Sequence, residues 1–93
     1  MISANQVDII KSVIQPYGPK LLGIFGSYAR GEADQNSDLD ILIDCSKKIN
    51  LLEVIALEQK LSELLSLKID LVTLRSVHPS LLKHIEADLI RLV

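Results

Sequence analysis

A chain of 93 residues with a formal charge of −2 has room for one small domain and lacks the broad basic surface that grips nucleic acid. Its apolar content of 48%, carried mainly by Leu, Ile and Val, is enough for a core and argues against disorder. No run of about eighteen apolar residues is present to span a bilayer, the stretch Met1-Ile2-Ser3-Ala4-Asn5 has no leader pattern, and a lone Cys45 excludes an internal disulfide framework; a reducing cytoplasm is the expected setting.

Ser3 and Gln6 have capping-box spacing ahead of Val7, Ile10, Val13 and Ile14, which recur at helical intervals; Pro16 and Gly18 stop that helix. Leu21 to Phe25 is a short apolar run that predicts a buried strand. Gly26-Ser27 follows directly, Tyr28 to Gly31 has the length of one helical turn, and Glu32 to Ser37 is polar and turn-like. Leu39, Ile41 and Ile43 then alternate with Asp38, Asp40, Leu42 and Asp44, the period of a strand. From Leu51 to Leu65 an amphipathic helix is expected, with Val54, Leu57, Leu61, Leu64 and Leu65 as its apolar stripe. Lys68 to Leu74, rich in β-branched and apolar residues, reads as a third strand. Pro79 suits the first turn of a last helix carrying Leu82, Ile85 and Leu89, and the tail from Leu89 to Val93 fits either its continuation or a short strand. Helices alternating with strands in this order give an α/β (α+β) fold, a small mixed sheet flanked by helices, with residues 1–93 as one domain.

The chemistry concentrates between Gly26 and Asp40. Asp38 and Asp40 lie two apart on a strand, so their side chains share one face with Cα atoms about 7 Å apart. Paired carboxylates repel each other, and a hard cation such as magnesium relieves that repulsion because it prefers oxygen ligands. Two such ions roughly 3.5–4 Å apart can clamp the attacking and leaving oxygens of an in-line phosphoryl displacement. Asp70, in the strand Lys68-Ile69-Asp70-Leu71-Val72, is the candidate third ligand, because a carboxylate in an apolar strand is costly without a partner. Gly26 lets a phosphate approach the backbone, Ser27 offers a hydroxyl and an N–H at a helix start, and Arg30 carries a guanidinium fork suited to phosphate oxygens.

Each part also has a plainer reading. Gly-Ser after a strand is usually a turn, Asp-x-Asp is common on solvated strands, and Arg30 is as well suited to an ion pair with Glu32 or Asp34 as to a phosphate. Asp44 reads as a solvated strand end, Cys45 as a half-buried apolar residue, and His78 and His84 as surface or capping residues. The combination is more specific: Gly-Ser, ten residues, then Asp-x-Asp arises by chance in roughly one chain of this length in a thousand.

The spacing Gly26-Ser27, then Asp38-Leu39-Asp40, resembles the signature of the DNA polymerase β nucleotidyltransferase superfamily. The fuller stretch Gly26-Ser27-Tyr28-Ala29-Arg30-Gly31, with Ile69-Asp70-Leu71-Val72 beyond it, is similar to its minimal nucleotidyltransferase branch. That resemblance, which spans the chain, implies a polymerase-β-like fold, with Asp38, Asp40 and Asp70 as catalytic metal ligands and Gly26, Ser27 and Arg30 as nucleotide-binding residues. It implies attack on the α-phosphate of a nucleoside triphosphate, two Mg2+ ions as cofactors, and Asp70 as the base or acceptor-orienting residue. Minimal members are often paired with a HEPN-domain toxin, and in some cases they transfer AMP from ATP to a tyrosine of it. The resemblance therefore implies an antitoxin that acts on such a partner, with no membrane involved. The larger relatives' second domain is not seen in this sequence, so a partner protein or a homo-oligomer is expected to complete the site. Two other functions fit the same residues: a binding antitoxin that neutralises by contact alone, and an antibiotic nucleotidyltransferase.

Overall fold

The computed structural model describes residues 2–93; Met1, part of the stretch read for a leader, lies outside them. Among the described residues the order is α1 (Ala4–Ile14), β1 (Pro19–Phe25), α2 (Ser27–Arg30), β2 (Leu39–Cys45), α3 (Leu51–Leu65), β3 (Ile69–Thr73), α4 (Pro79–Asp88) and β4 (Ile90–Arg91), with 3₁₀ turns after α1 and β3. The expected mixed sheet is present. Its order is β3-β2-β1-β4, with β2 and β3 parallel and the other two pairings antiparallel.

Local chemistry sets these boundaries. Ser3 and Gln6 form the reciprocal capping box that opens α1, and Asn50 and Glu53 form a second one that opens α3. Each box satisfies backbone N–H groups that the first turn leaves without partners. His78 caps α4 through a ring nitrogen that accepts from the Ser80 N–H, with Pro79 behind it in the first turn. The tail resolves as strand: Leu89 leaves the helix and Ile90 and Arg91 pair with Ile24 and Gly23.

The two faces of the sheet differ in kind. On one, Leu22, Ile24, Leu39, Ile41, Ile69 and Leu71 join Ile10 and Ile14 of α1 and Leu57, Leu61 and Leu65 of α3 in a single apolar cluster. Each side chain fully buried there contributes about 1.5–3 kcal/mol relative to exposure. Leu64, read as part of the α3 stripe, is instead 52% exposed, because the buried positions Leu57, Leu61 and Leu65 recur every four residues and leave it beyond the edge of the stripe. The opposite face carries Asp40, Leu42 and Asp44 of β2 with Asp70 and Val72 of β3. Leu42 alternates with carboxylates yet is fully buried.

Helix α4 packs against β1, and Gly23 permits that approach: a β-carbon there would lie 2.6 Å from the Leu89 side chain. The outer edge of β3 is guarded by Glu58 of α3, whose carboxylate accepts the Leu71 N–H at 2.8 Å. A side-chain acceptor on an edge strand satisfies a donor that would otherwise recruit another chain. No helix among the described residues is long and apolar enough to cross a membrane.

Candidate active site

The sheet register builds the site. Because β2 and β3 run parallel with Asp40 opposite Asp70, the two carboxylates leave the same face at the same level. Asp40 also lies opposite Phe25, the last residue of β1, so the Gly26-Ser27 corner turns beside it. Asp38 precedes β2 by one residue and shares the Asp40 face by the strand period. A compact turn delivers it there: the Asp34 carboxylate accepts from the Asn36 N–H at 2.8 Å and the Ser37 hydroxyl at 3.3 Å, while the Ser37 hydroxyl accepts the Asp34 N–H at 3.0 Å. The pattern is an Asx turn, and it gives Asp34 and Ser37 a definite local role.

Gly26 is required at the corner twice over. Its backbone, at φ 76° and ψ −153°, lies in a region open essentially to glycine alone. A β-carbon there would collide with the Asp40 carboxylate. The close approach that sequence reasoning reserved for a phosphate is therefore made first by a catalytic candidate of the chain itself. Ser27 opens α2, where the first-turn N–H groups have no intrahelical acceptor.

The electrostatics reflect this crowding. Asp40 is pushed up to about 6, first by burial, then by the negative charges of Asp70 and Asp38, against a smaller opposing pull from Arg30. Arg30 itself is tied down: its guanidinium meets Glu32 at 2.7 Å and Asp88 at 2.6 Å. The first of these ion pairs was legible in the sequence. The second joins residues 58 apart and brings the end of α4 to α2, and no short-range pattern announces it. Asp70 is exposed on its edge strand, whereas Asp38 and Asp40 are half-buried. Cys45 is buried beneath the sheet, and burial followed by the Asp44 charge raises its thiol, which leaves it without thiolate character.

Asp38, Asp40 and Asp70 thus share a face, with Asp40 feeling both neighbours. Among the described residues, however, no three acidic, His or Cys side chains converge tightly enough to hold a metal ion as they stand. The donor set, all carboxylate oxygen, fits a hard divalent cation and no soft one. The raised Asp40 shows what such a cation would relieve.

Carboxylates gathered on parallel neighbouring strands beside a glycine-serine corner suit a metal-assisted displacement at phosphorus. The model of the family described as polymerase beta, nucleotidyltransferase matches residues 8–93, and the chain belongs to that family. It is a nucleotidyltransferase. Protein adenylyltransferase MntA of Thermococcus cleftensis is 39% identical over 95 residues, covering 97% of this chain and 96% of that one. A protein of Methanocaldococcus jannaschii, provisionally named a protein adenylyltransferase, is 51% identical over 81 residues, 86% of this chain and 83% of its own. Among solved structures, a toxin–antitoxin crystal structure with AMP-PNP superimposes with a TM-score of 0.85 at 31% identity, over 96% of this chain and 73% of that one. The structure of a provisionally assigned minimal nucleotidyltransferase does so at 0.80 and 31%, over 92% and 88%.

Proposed function

We propose that this nucleotidyltransferase moves AMP from ATP onto a hydroxyl of a partner protein, a tyrosine of a HEPN-domain toxin, and so acts as an antitoxin in the cytoplasm. The observation that carries this reading is the register pairing of Asp40 with Asp70 beside the Gly26-Ser27 corner. The names of the relatives support a protein acceptor, and the toxin–antitoxin structure with AMP-PNP supports an adenine nucleotide and a toxin partner.

Each residue has a part that follows from its place. Asp38, Asp40 and Asp70 would hold one or two magnesium ions, which supply charge neutralisation to the triphosphate. Gly26 and Ser27 receive phosphate oxygens on backbone and hydroxyl donors at the start of α2. Arg30 adds positive charge from beside Asp40, and contacts a phosphate directly by exchanging Asp88 for it. Asp70, outermost of the three, faces the incoming acceptor. It accepts the hydroxyl proton as the acceptor oxygen bonds to the α-phosphorus, and the bridging P–O bond breaks to release pyrophosphate.

Incubation of the chain with α-labelled ATP, magnesium and a candidate HEPN-domain partner protein tests the proposal. Label is expected on a tyrosine of that protein, with loss of at least about 100-fold in Asp70→Asn. Absence of label with wild type, or undiminished label in Asp70→Asn, contradicts it. Toxin neutralisation that survives alanine at both Asp38 and Asp40 would assign the antitoxin role to contact alone.

A further inference from the structure

Beyond the carboxylates, the surface of most distinct character lies where the parallel strands β2 and β3 end. A cleft of about 190 Å³ opens there between the loop leading to α3 and the turn after β3. Lys47, Lys48 and Arg75 line it, with Asp44 as its one lining carboxylate and Ile49 and Leu74 among its apolar walls. A second hollow shares Ile49 and Thr73 with the first and continues past Leu51, so the two form one groove. Leu51 lines its far end at the first turn of α3, and Leu52 and Ile55 continue an exposed apolar surface outside it on the same helix; the three are 73%, 77% and 40% exposed.

Large apolar side chains at that exposure cost solvation free energy, and three clustered on one helical turn need a reason. Beside them the cleft gathers three cations, Lys47, Lys48 and Arg75, against one carboxylate, Asp44, so its rim favours an acidic partner. The walls are fixed in advance. The Ser46 N–H donates to the Gly18 carbonyl at 2.8 Å and the Lys47 N–H to that of Tyr17 at 3.3 Å, while the Thr73 hydroxyl donates to that of Ser76 at 2.9 Å. The Asn50–Glu53 capping box holds the helix end that carries the leucines.

We propose that this groove is a docking site for a helix of the acceptor protein, with an apolar stripe that meets Leu51, Leu52 and Ile55 and flanking Asp or Glu residues that meet Lys47, Lys48 and Arg75. The identification of the docked protein as the acceptor rests on the function proposed above; the groove does not. An apolar centre with a charged rim is the anatomy of a protein interface. Nucleic acid fits it poorly, because no aromatic side chain lines the groove for base stacking and the chain is net negative. A second copy in two-fold symmetry would set the three cations against themselves. A helix with carboxylate flanks satisfies both halves at once.

Titration of the ¹⁵N-labelled chain with two synthetic amphipathic peptides tests this. Both carry the same leucine stripe, one flanked by glutamates and the other by lysines. The glutamate peptide is expected to shift amide resonances of residues 45–55 and 73–76, and the lysine peptide to leave them in place. The triple variant K47E/K48E/R75E, and separately Leu52→Asp, should each weaken the glutamate peptide at least tenfold with an unchanged melting temperature. Equal binding of both peptides, shifts confined elsewhere, or undiminished binding by the triple variant overturns the proposal. So does displacement of the glutamate peptide by oligothymidine, or a dimer in sedimentation that the triple variant abolishes. With the labelled acceptor in hand, the same variant should raise KM at least tenfold with little change in kcat; an unchanged KM would show that the acceptor docks elsewhere. Failure to find any labelled acceptor would sink the proposed function and leave the peptide result to decide the groove.

Discussion

Asp40→Asn is expected to silence nucleotide transfer and, in the metal-free protein at pH 7.5, to raise the melting temperature. Both effects come from one placement. Asp40 faces Asp70 in the register, has Asp38 on its own face, and is half-buried. Removing a carboxylate from a site that must neutralise a triphosphate costs about 10³-fold in rate. The stability effect has the opposite sign. In the unfolded chain Asp40 ionises in the ordinary carboxylate range; in the fold it is held at about 6, chiefly by burial. Below both values it is protonated in either state and carries no penalty. As pH rises through the interval from the ordinary range to about 6, the unfolded chain releases a proton that the fold retains, and stability falls. Above about 6 the loss is complete. With allowance for solvent screening of a half-exposed group, that loss is about 1–2 kcal/mol, which for a domain of this size corresponds to roughly 4–12 °C in melting temperature. Thermal scans from pH 4 to pH 8 should show the wild type losing stability toward neutrality and Asp40→Asn losing less. Magnesium with nucleotide should restore the wild type and do little for the variant. A site that sacrifices stability for function in this way is a common trade.

Gly26→Ala should be the most damaging single-methyl change near the site. The residue occupies a backbone region that costs an L-residue about 1–3 kcal/mol, and the added β-carbon would strike the Asp40 carboxylate. Relief requires moving either the corner that positions Ser27 or the carboxylate that pairs with Asp70. A loss of about 2–4 kcal/mol in urea denaturation is expected, with transfer reduced at least about 100-fold. The double variant with Asp40→Gly separates the two causes: the collision disappears and the backbone strain stays, so part of the stability returns and none of the activity. Wild-type stability in Gly26→Ala alone would contradict the geometry of the corner.

Much of this was legible in the sequence because the signals were local. The capping box at Ser3 and Gln6, the alternation through β2 and the stop at Pro16 and Gly18 act within a few residues, and the structure realises them. The tail from Leu89 to Val93 was ambiguous because its pairing with Gly23 and Ile24 is made by residues more than sixty positions away. Leu64 was misread for a related reason: it is apolar and at helical spacing, but which leucines face the core is set by where α3 docks on the sheet. Asp70 could be named from its apolar context, yet only the parallel register of β2 with β3 sets it opposite Asp40. The Arg30–Asp88 pair, the Glu58 guard on Leu71 and the demand Asp40 makes on Gly26 all depend on tertiary placement and leave no mark in neighbouring residues.

Paramagnetic broadening by Mn2+ tests the heart of the account. With the ¹⁵N-labelled chain and a non-hydrolysable ATP analogue, trace Mn2+ should erase the amide signals of Gly26 and Ser27, of residues 38–41 and of residues 69–71. Signals from the buried turn of α3 around Leu61 should survive, and Asp40→Asn should abolish the effect. Broadening that spares Asp70, or that persists unchanged without Asp40, would mean that the three carboxylates do not serve one cation.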